Sequence, residues 1–155
     1  MAWSYILMLI SGIWLLDRGT KILVAQNLTL GSTIPLIDNW VTLTYVQNRG
    51  AAYGILQNQV LLLSLVSIVL VAILVYGRKR WFNIGKLGDF AFALILGGAL
   101  GNLYDRLMLG YVIDFLNIQI IPVFNVADSA ITIGAGLLIL AAWHQEQRGN
   151  GRDQA

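Results

Sequence analysis

Cysteine is absent from the 155 residues, histidine occurs once and proline twice. Without cysteine there are no disulfides, no thiolate metal sites and no cysteine nucleophile. With His144 alone, a Ser-His-Asp triad or an H-E-x-x-H zinc site lacks parts. Charge is scarce as well: ten Lys and Arg and eight Asp and Glu make up 12% of the chain, where a soluble domain carries about 25%. So few charges do not cover the surface of a water-soluble domain. The formal net charge of +2 is too small for a nucleic-acid binder. Disorder is excluded by 57% hydrophobic residues and a mean hydropathy of +0.71. What remains is an integral membrane protein whose length allows a single domain, 1–155.

Four apolar stretches approach the ~20 residues a bilayer core requires of a helix. They run from Trp3 to Leu16 with a helical continuation to about Ala25, from Leu56 or Val60 to Tyr76, from Leu87 to Tyr104, and from about Pro122 to Trp143. The first lacks the basic start and small-residue cleavage site of a secretory leader and reads as a span. Between the second and third lie Arg78, Lys79, Arg80 and Lys86 with no acidic residue. Short loops rich in Lys and Arg stay in the cytoplasm. Four spans then put both termini inside, in agreement with Arg148 and Arg152, with Trp3, Trp81 and Trp143 near the inner interface.

The other two connections face outward. Trp40 to Val46 is rich in β-branched and aromatic residues and reads as a strand. Gly31, Pro35 and Asp38-Asn39 before it, and Gly50 and Gly54 after it, are turn punctuation. Tyr111 to Ile118 is too short and ambiguous to assign. No internal repeat is found, which counts against a duplicated transporter architecture.

An ionisable residue inside a span is costly and marks a functional candidate. Asp128 lies six residues past Pro122, roughly 9 Å into the expected helix. Asp114 lies in the outer connection among apolar neighbours, at similar depth. Two close carboxylates in a poorly solvated site share a proton, leaving one as general base and the other as general acid for water attack on an amide. The plainer alternative pairs them with Arg106 or Lys21. A Ser129–Lys21 dyad is conceivable, but Ser129 reads better as a small packing residue. Asp17 and Lys21 are spaced i, i+4 and pair on one helix face; they and Asp105/Arg106 form either interfacial ion pairs or supports for a site. Gly97-x-x-x-Gly101 reads as close helix packing.

The polar residues fall in four blocks: Asp17-Arg18-Gly19-Thr20-Lys21; Asn48-Arg49-Gly50-Ala51-Ala52-Tyr53-Gly54; Gly97 to Arg106 followed by Gly110-Tyr111-Val112-Ile113-Asp114-Phe115; and Phe124-Asn125-Val126-Ala127-Asp128-Ser129. In this order and spacing, from Asp17 to about Gly134, the chain resembles the lipoprotein signal peptidase (bacterial signal peptidase II) family of membrane aspartyl proteases. The resemblance implies four transmembrane helices, a small extracytoplasmic β-cradle, cytoplasmic termini and residence in the bacterial inner (plasma) membrane. It implies cleavage of a diacylglyceryl-modified prolipoprotein just before the lipidated cysteine, at the outer side of the membrane. The family's catalytic aspartates match Asp114 and Asp128. Its other motif residues match Asp17, Lys21, Asn48, Gly98, Asn102, Asp105, Arg106 and Asn125, which support the site or contact substrate. No cofactor or metal is expected. Besides the substrate, the expected partners are membrane lipid and inhibitors of the globomycin type, with no nucleic acid. Tyr53 departs from the pattern, where Phe or Trp is expected.

Two other classes compete. A small proton-coupled transporter would use Asp128 as a relay and needs a polar path to the cytoplasmic side, where the spans are nearly pure hydrocarbon apart from Asp89. A noncatalytic anchoring subunit would have no reason to keep both aspartates.

Overall fold

A computed structural model of the chain describes residues 2–38, 40–51, 55–81 and 84–150. The expectations placed on Asn39, Tyr53, Gly54 and Arg152 lie outside the described residues. In chain order the elements are α1 (Trp3–Asn27), β1 (Thr33–Ile37), β2 (Val41–Asn48), α2 (Val60–Trp81), α3 (Gly85–Met108), β3 (Val112–Asn117) and α4 (Val126–Asn150). The helix α3 is central and packs against α1, α2 and α4, while α1 also touches α4.

The burial pattern is inverted relative to a soluble protein. Asp17, Lys21, Asn102, Asp105, Asp114 and Asn125 are buried, whereas Leu61, Tyr76 and Ile139 are 76%, 94% and 71% exposed. Apolar side chains facing outward along long helices suit hydrocarbon as the solvent. Three helices, α2, α3 and α4, are long and apolar enough to cross a membrane. At 25 residues α1 is also long enough, but it carries Asp17, Arg18 and Lys21. Asp17 and Lys21 point inward, and Leu7, Met8, Leu15, Leu16 and Leu23 cover the outer face.

Several boundaries differ from expectation. The start of α4 is not Pro122 but Val126, because Asn125 caps the helix. Asp128 therefore sits in its first turn rather than about 9 Å inside. The end of α3 runs on past Tyr104 to Met108, since Asp105 turns into the protein. The expected strand is present as β2, shifted to Val41–Asn48. The segment left unassigned, Tyr111 to Ile118, holds β3, and a further strand β1 completes an antiparallel sheet in the order β1-β2-β3.

Two apolar clusters fix the frame. Ile6, Ile10, Phe92, Ala93 and Leu96 join α1 to α3, with Val71 and Leu74 of α2 packed against them. Val24, Tyr45, Ile113 and Phe115 seat the sheet on the last turns of α1. Trp3 lies under the Arg78 guanidinium, so the start of α1 and the end of α2 share one end of the bundle. His144 of α4 shares a pocket with Lys86 of α3. Both described ends of the chain thus lie with the basic loop, opposite the sheet.

Candidate active site

Three structural decisions bring Asp114 and Asp128 to one place. First, Asn125 is the N-cap of α4. Its Oδ1 accepts from the Asp128 backbone N–H at 2.9 Å, and Asp128 Oδ2 accepts from the Asn125 backbone N–H at 3.2 Å. This is the reciprocal capping box, and it places the Asp128 carboxylate at the positive end of the helix dipole. Second, β2 pairs with β3 so that Asn48 lies opposite Val112. Asp114, two residues on, shares that face and receives Asn48 Nδ2 on Oδ2 at 3.0 Å. Third, Asn125 Nδ2 donates to Asp114 Oδ1 at 2.7 Å, so one side chain bridges the helix start and the strand. Asn102 of α3 completes the set by donating from Nδ2 to Asp128 Oδ1 at 2.7 Å. Each carboxylate therefore receives two hydrogen bonds, and three asparagines supply the side-chain donors.

Both carboxylates line a pocket of about 350 Å³ with Asn48, Asn102 and Arg106, walled by Val112, Pro122, Phe124, Ile131 and Thr132. Desolvation raises the Asp114 carboxyl to about 7, the Asp128 charge adds to the rise, and the bonds from Asn48 and Asn125 oppose it. A carboxyl that keeps its proton near neutrality beside a second carboxylate is the arrangement expected of a proton-sharing pair.

Behind the pocket lies a network of four charges that sum to zero. The Lys21 ammonium is fully buried and spends its three donors on Asp17 Oδ2 at 2.8 Å, Asp105 Oδ2 at 2.9 Å and Asn102 Oδ1 at 3.0 Å. Asp17 Oδ1 accepts from the Ala127 backbone N–H at 2.9 Å, filling another open donor at the start of α4. Asp105 Oδ2 also accepts from the Ile113 N–H at 3.2 Å, and Asp105 Oδ1 is paired with Arg18. Because Asn102 Oδ1 takes bonds from Lys21 and Asn125, its NH₂ must face Asp128. The ammonium thus sets the orientation of a group that holds the candidate dyad.

Glycines permit this proximity. A Cβ at Gly98 would lie 2.4 Å from Ala127 O, and one at Gly101 would lie 2.6 Å from Asp17 Oδ2. Gly97 packs on Ile13 and the Ile10 carbonyl of α1, as expected of a small-residue contact.

Of the ten residues expected at the site, Asp17, Lys21, Asn48, Asn102, Asp105, Arg106, Asp114, Asn125 and Asp128 fall in this pocket or the polar network around it, and Gly98 lies beside them against Ala127. Two of the plainer alternative pairings are not found. Lys21 and Arg106 make no ion pair with Asp114 or Asp128 among the described residues, and Asp105 pairs with Lys21 and Arg18 rather than Arg106. Arg106 faces the pocket with no hydrogen bond or ion pair among the described residues. The Ser129–Lys21 dyad is absent, since Ser129 Oγ donates to Asn125 O at 2.9 Å and Lys21 is saturated. Arg18 joins this network without being among the residues expected at the site, and its charge within an apolar run is the signal that marks it. The Asn125-x-x-Asp128 spacing likewise carried a capping-box signature.

Residues 9–144 match the model of the Signal peptidase (SPase) II family. The chain is 45% identical over 148 residues to a lipoprotein signal peptidase of Halothermothrix orenii, covering 94% of this chain and 99% of that one. It is 41% identical over 138 residues to a lipoprotein signal peptidase of Halalkalibacterium halodurans, covering 86% and 88%. Its fold is similar to that of a bacterial membrane enzyme solved by the in meso method at 2.3 Å resolution, with a TM-score of 0.87, 29% identity, and coverage of 94% and 92%. A second such enzyme, at 1.9 Å, gives 0.82 and 30%, covering 90% and 93%.

Proposed function

Because the chain belongs to the signal peptidase II family, whose members are proteases that remove lipoprotein signal peptides, we propose that it is a membrane aspartyl endopeptidase in which Asp114 and Asp128 act as the dyad. The observation that carries the reading is the single pocket lined by both carboxylates, each oriented by asparagine donors. Asp114 holds the shared proton and Asp128 receives the proton of a water placed between them. The water oxygen bonds to the scissile carbonyl carbon while Asp114 protonates the carbonyl oxygen, giving a gem-diol. Collapse of the gem-diol breaks the C–N bond. Asp128 delivers its proton to the leaving nitrogen and the second hydroxyl proton returns to Asp114. Arg106, free to donate into the pocket, holds a substrate carbonyl.

The substrate is a diacylglyceryl-modified prolipoprotein cut just before the lipidated cysteine, and globomycin-type inhibitors occupy the same groove. We place α1 with α2, α3 and α4 as four spans of the bacterial inner membrane. The basic loop and both termini are cytoplasmic and the pocket lies at the outer interface, where a lipid-anchored substrate and water both arrive. A proton-relay role for Asp128 finds little support, because Ile6, Ile10, Phe92 and Leu96 fill the interior toward the basic end.

The test uses purified protein with a diacylglyceryl-modified precursor and its unmodified counterpart. Cleavage of the lipidated form alone is expected, with a fall of about a thousandfold in Asp114→Asn and Asp128→Asn. Near-normal cleavage by either folded variant refutes the dyad. Equal rates on both precursors refute the lipid requirement.

A further inference from the structure

Among the side chains that line the pocket, one acceptor is left outside the carboxylates. Asn48 Oδ1 already accepts from the Gly50 N–H at 2.9 Å, and its NH₂ serves Asp114. Asn102 Oδ1 takes bonds from Lys21 and Asn125, and its NH₂ serves Asp128. Arg106 is free but is a donor only. Among the pocket-lining side chains this leaves Thr132, whose hydroxyl makes no hydrogen bond among the described residues.

Four other helix hydroxyls behave differently, while Ser4 and Ser11, like Thr132, make no hydrogen bond among the described residues but lie outside this pocket. Thr20, Ser64, Ser67 and Ser129 each turn back on the carbonyl four residues earlier, at 2.8–2.9 Å. Thr132 instead lines the pocket beside the apolar Ile131, Val123 and Phe124. A peptide entering this pocket brings backbone N–H groups that must be satisfied where water is excluded.

We propose that Thr132 is a substrate-positioning residue whose hydroxyl accepts a backbone N–H of the signal peptide, about two residues before the scissile bond. The position follows from helix geometry. Thr132 lies one turn, about 6 Å, deeper along α4 than Asp128, and an extended chain covers that distance in about two residues. The deeper side is the signal-peptide side, because the apolar segment of the substrate runs into the membrane. This inference rests on the peptidase reading above.

The test compares wild type, Thr132→Val and Thr132→Ser on a diacylglyceryl-modified precursor, and on the same precursor with the amide two residues before the cleavage site replaced by an ester. Valine is close in size to threonine, and no intramolecular bond is lost, so the variant keeps its fold. Wild type is expected to show a KM for the ester about three- to tenfold above that for the amide, the worth of one net hydrogen bond. Thr132→Val raises the amide KM by a similar factor at unchanged kcat and no longer discriminates amide from ester, while Thr132→Ser restores both. A valine variant with wild-type KM, or one that still discriminates amide from ester as wild type does, overturns the assignment. Failure of wild type to cleave the lipidated precursor refutes the peptidase reading itself and is read from the first measurement.

Discussion

The two ends of the helix bundle both bury charge, but by different means. At the sheet end, Lys21, Arg18, Asp17 and Asp105 balance one another, and every donor of the ammonium is matched to a carboxylate or amide oxygen. The same oxygens take backbone N–H groups from Ile113 and Ala127, so β3 and α4 are fixed to the cluster. At the basic end, Arg78 makes one ion pair with Asp89 at 2.7 Å and lies over the rings of Trp3 and Phe92, 4.1 and 5.5 Å from their centroids. Among the described residues its buried Nε has no hydrogen-bond partner. A cation over a ring face tolerates small displacements, whereas a saturated hydrogen-bond cluster does not. The sheet end is built to hold atoms in register, and the basic end to hold helices together.

The largest effect that separates the ends is expected from Lys21→Met. Removing the ammonium leaves the buried Asp17 carboxylate without a counter-ion, leaves Asp105 to Arg18 alone, and frees the Asn102 amide to turn. Breaking a buried ionic cluster in this way costs roughly 3–5 kcal/mol, read as a lowered thermal midpoint in micelles. Cleavage falls about a hundredfold even in the protein that remains folded, as expected of displaced reacting groups. A Lys21→Met variant with normal cleavage at low temperature would break the link between cluster and dyad.

A smaller effect probes how the asparagines tune the site. With Asp114 raised to about 7, the singly protonated dyad persists below that pH and is lost as the pH rises through it, so cleavage declines on the alkaline side near pH 7. The bond from Asn48 opposes the rise. Asn48→Ala therefore moves the alkaline limb to higher pH, in a kcat/KM profile measured beside wild type. A limb that stays in place, or moves down, contradicts the assignment of Asp114 as the proton-bearing partner.

How far the sequence made this legible depends on which faces were buried. All four helices were readable because their outer faces are rich in hydrocarbon, and β2 because its alternation survives. The β3 strand was hidden since Val112, Ile113, Asp114 and Phe115 are all buried, which erases a period of two. The β1 strand was hidden for the opposite reason, all five residues being exposed, and Pro35 made it look like a turn. Asp114 and Asp128 stood out as charges in apolar surroundings. Their common link, Asn125, came from family resemblance alone, because its bonds reach two other elements, α3 and β3. The Asp105–Lys21 and Asp105–Arg18 pairs were equally unreadable, joining residues more than 80 apart.

The smallest effect is expected at the basic end, from Asp89 and Arg78. Asp89→Asn keeps an oxygen for the guanidinium and removes only the charge. Arg78→Lys keeps the charge but loses the planar stack on Trp3 and Phe92. Each is expected to cost about 1–2 kcal/mol, the range of one charge-assisted hydrogen bond or one desolvated ring contact. The thermal midpoint shifts, while kcat/KM on the lipidated precursor stays within about twofold, because the apolar cluster of Ile6, Ile10, Phe92 and Leu96 lies between this end and the pocket. If instead either variant lost cleavage as Lys21→Met does, the ends would be coupled through α3, and the division between an end that sets geometry and an end that ties helices would be wrong.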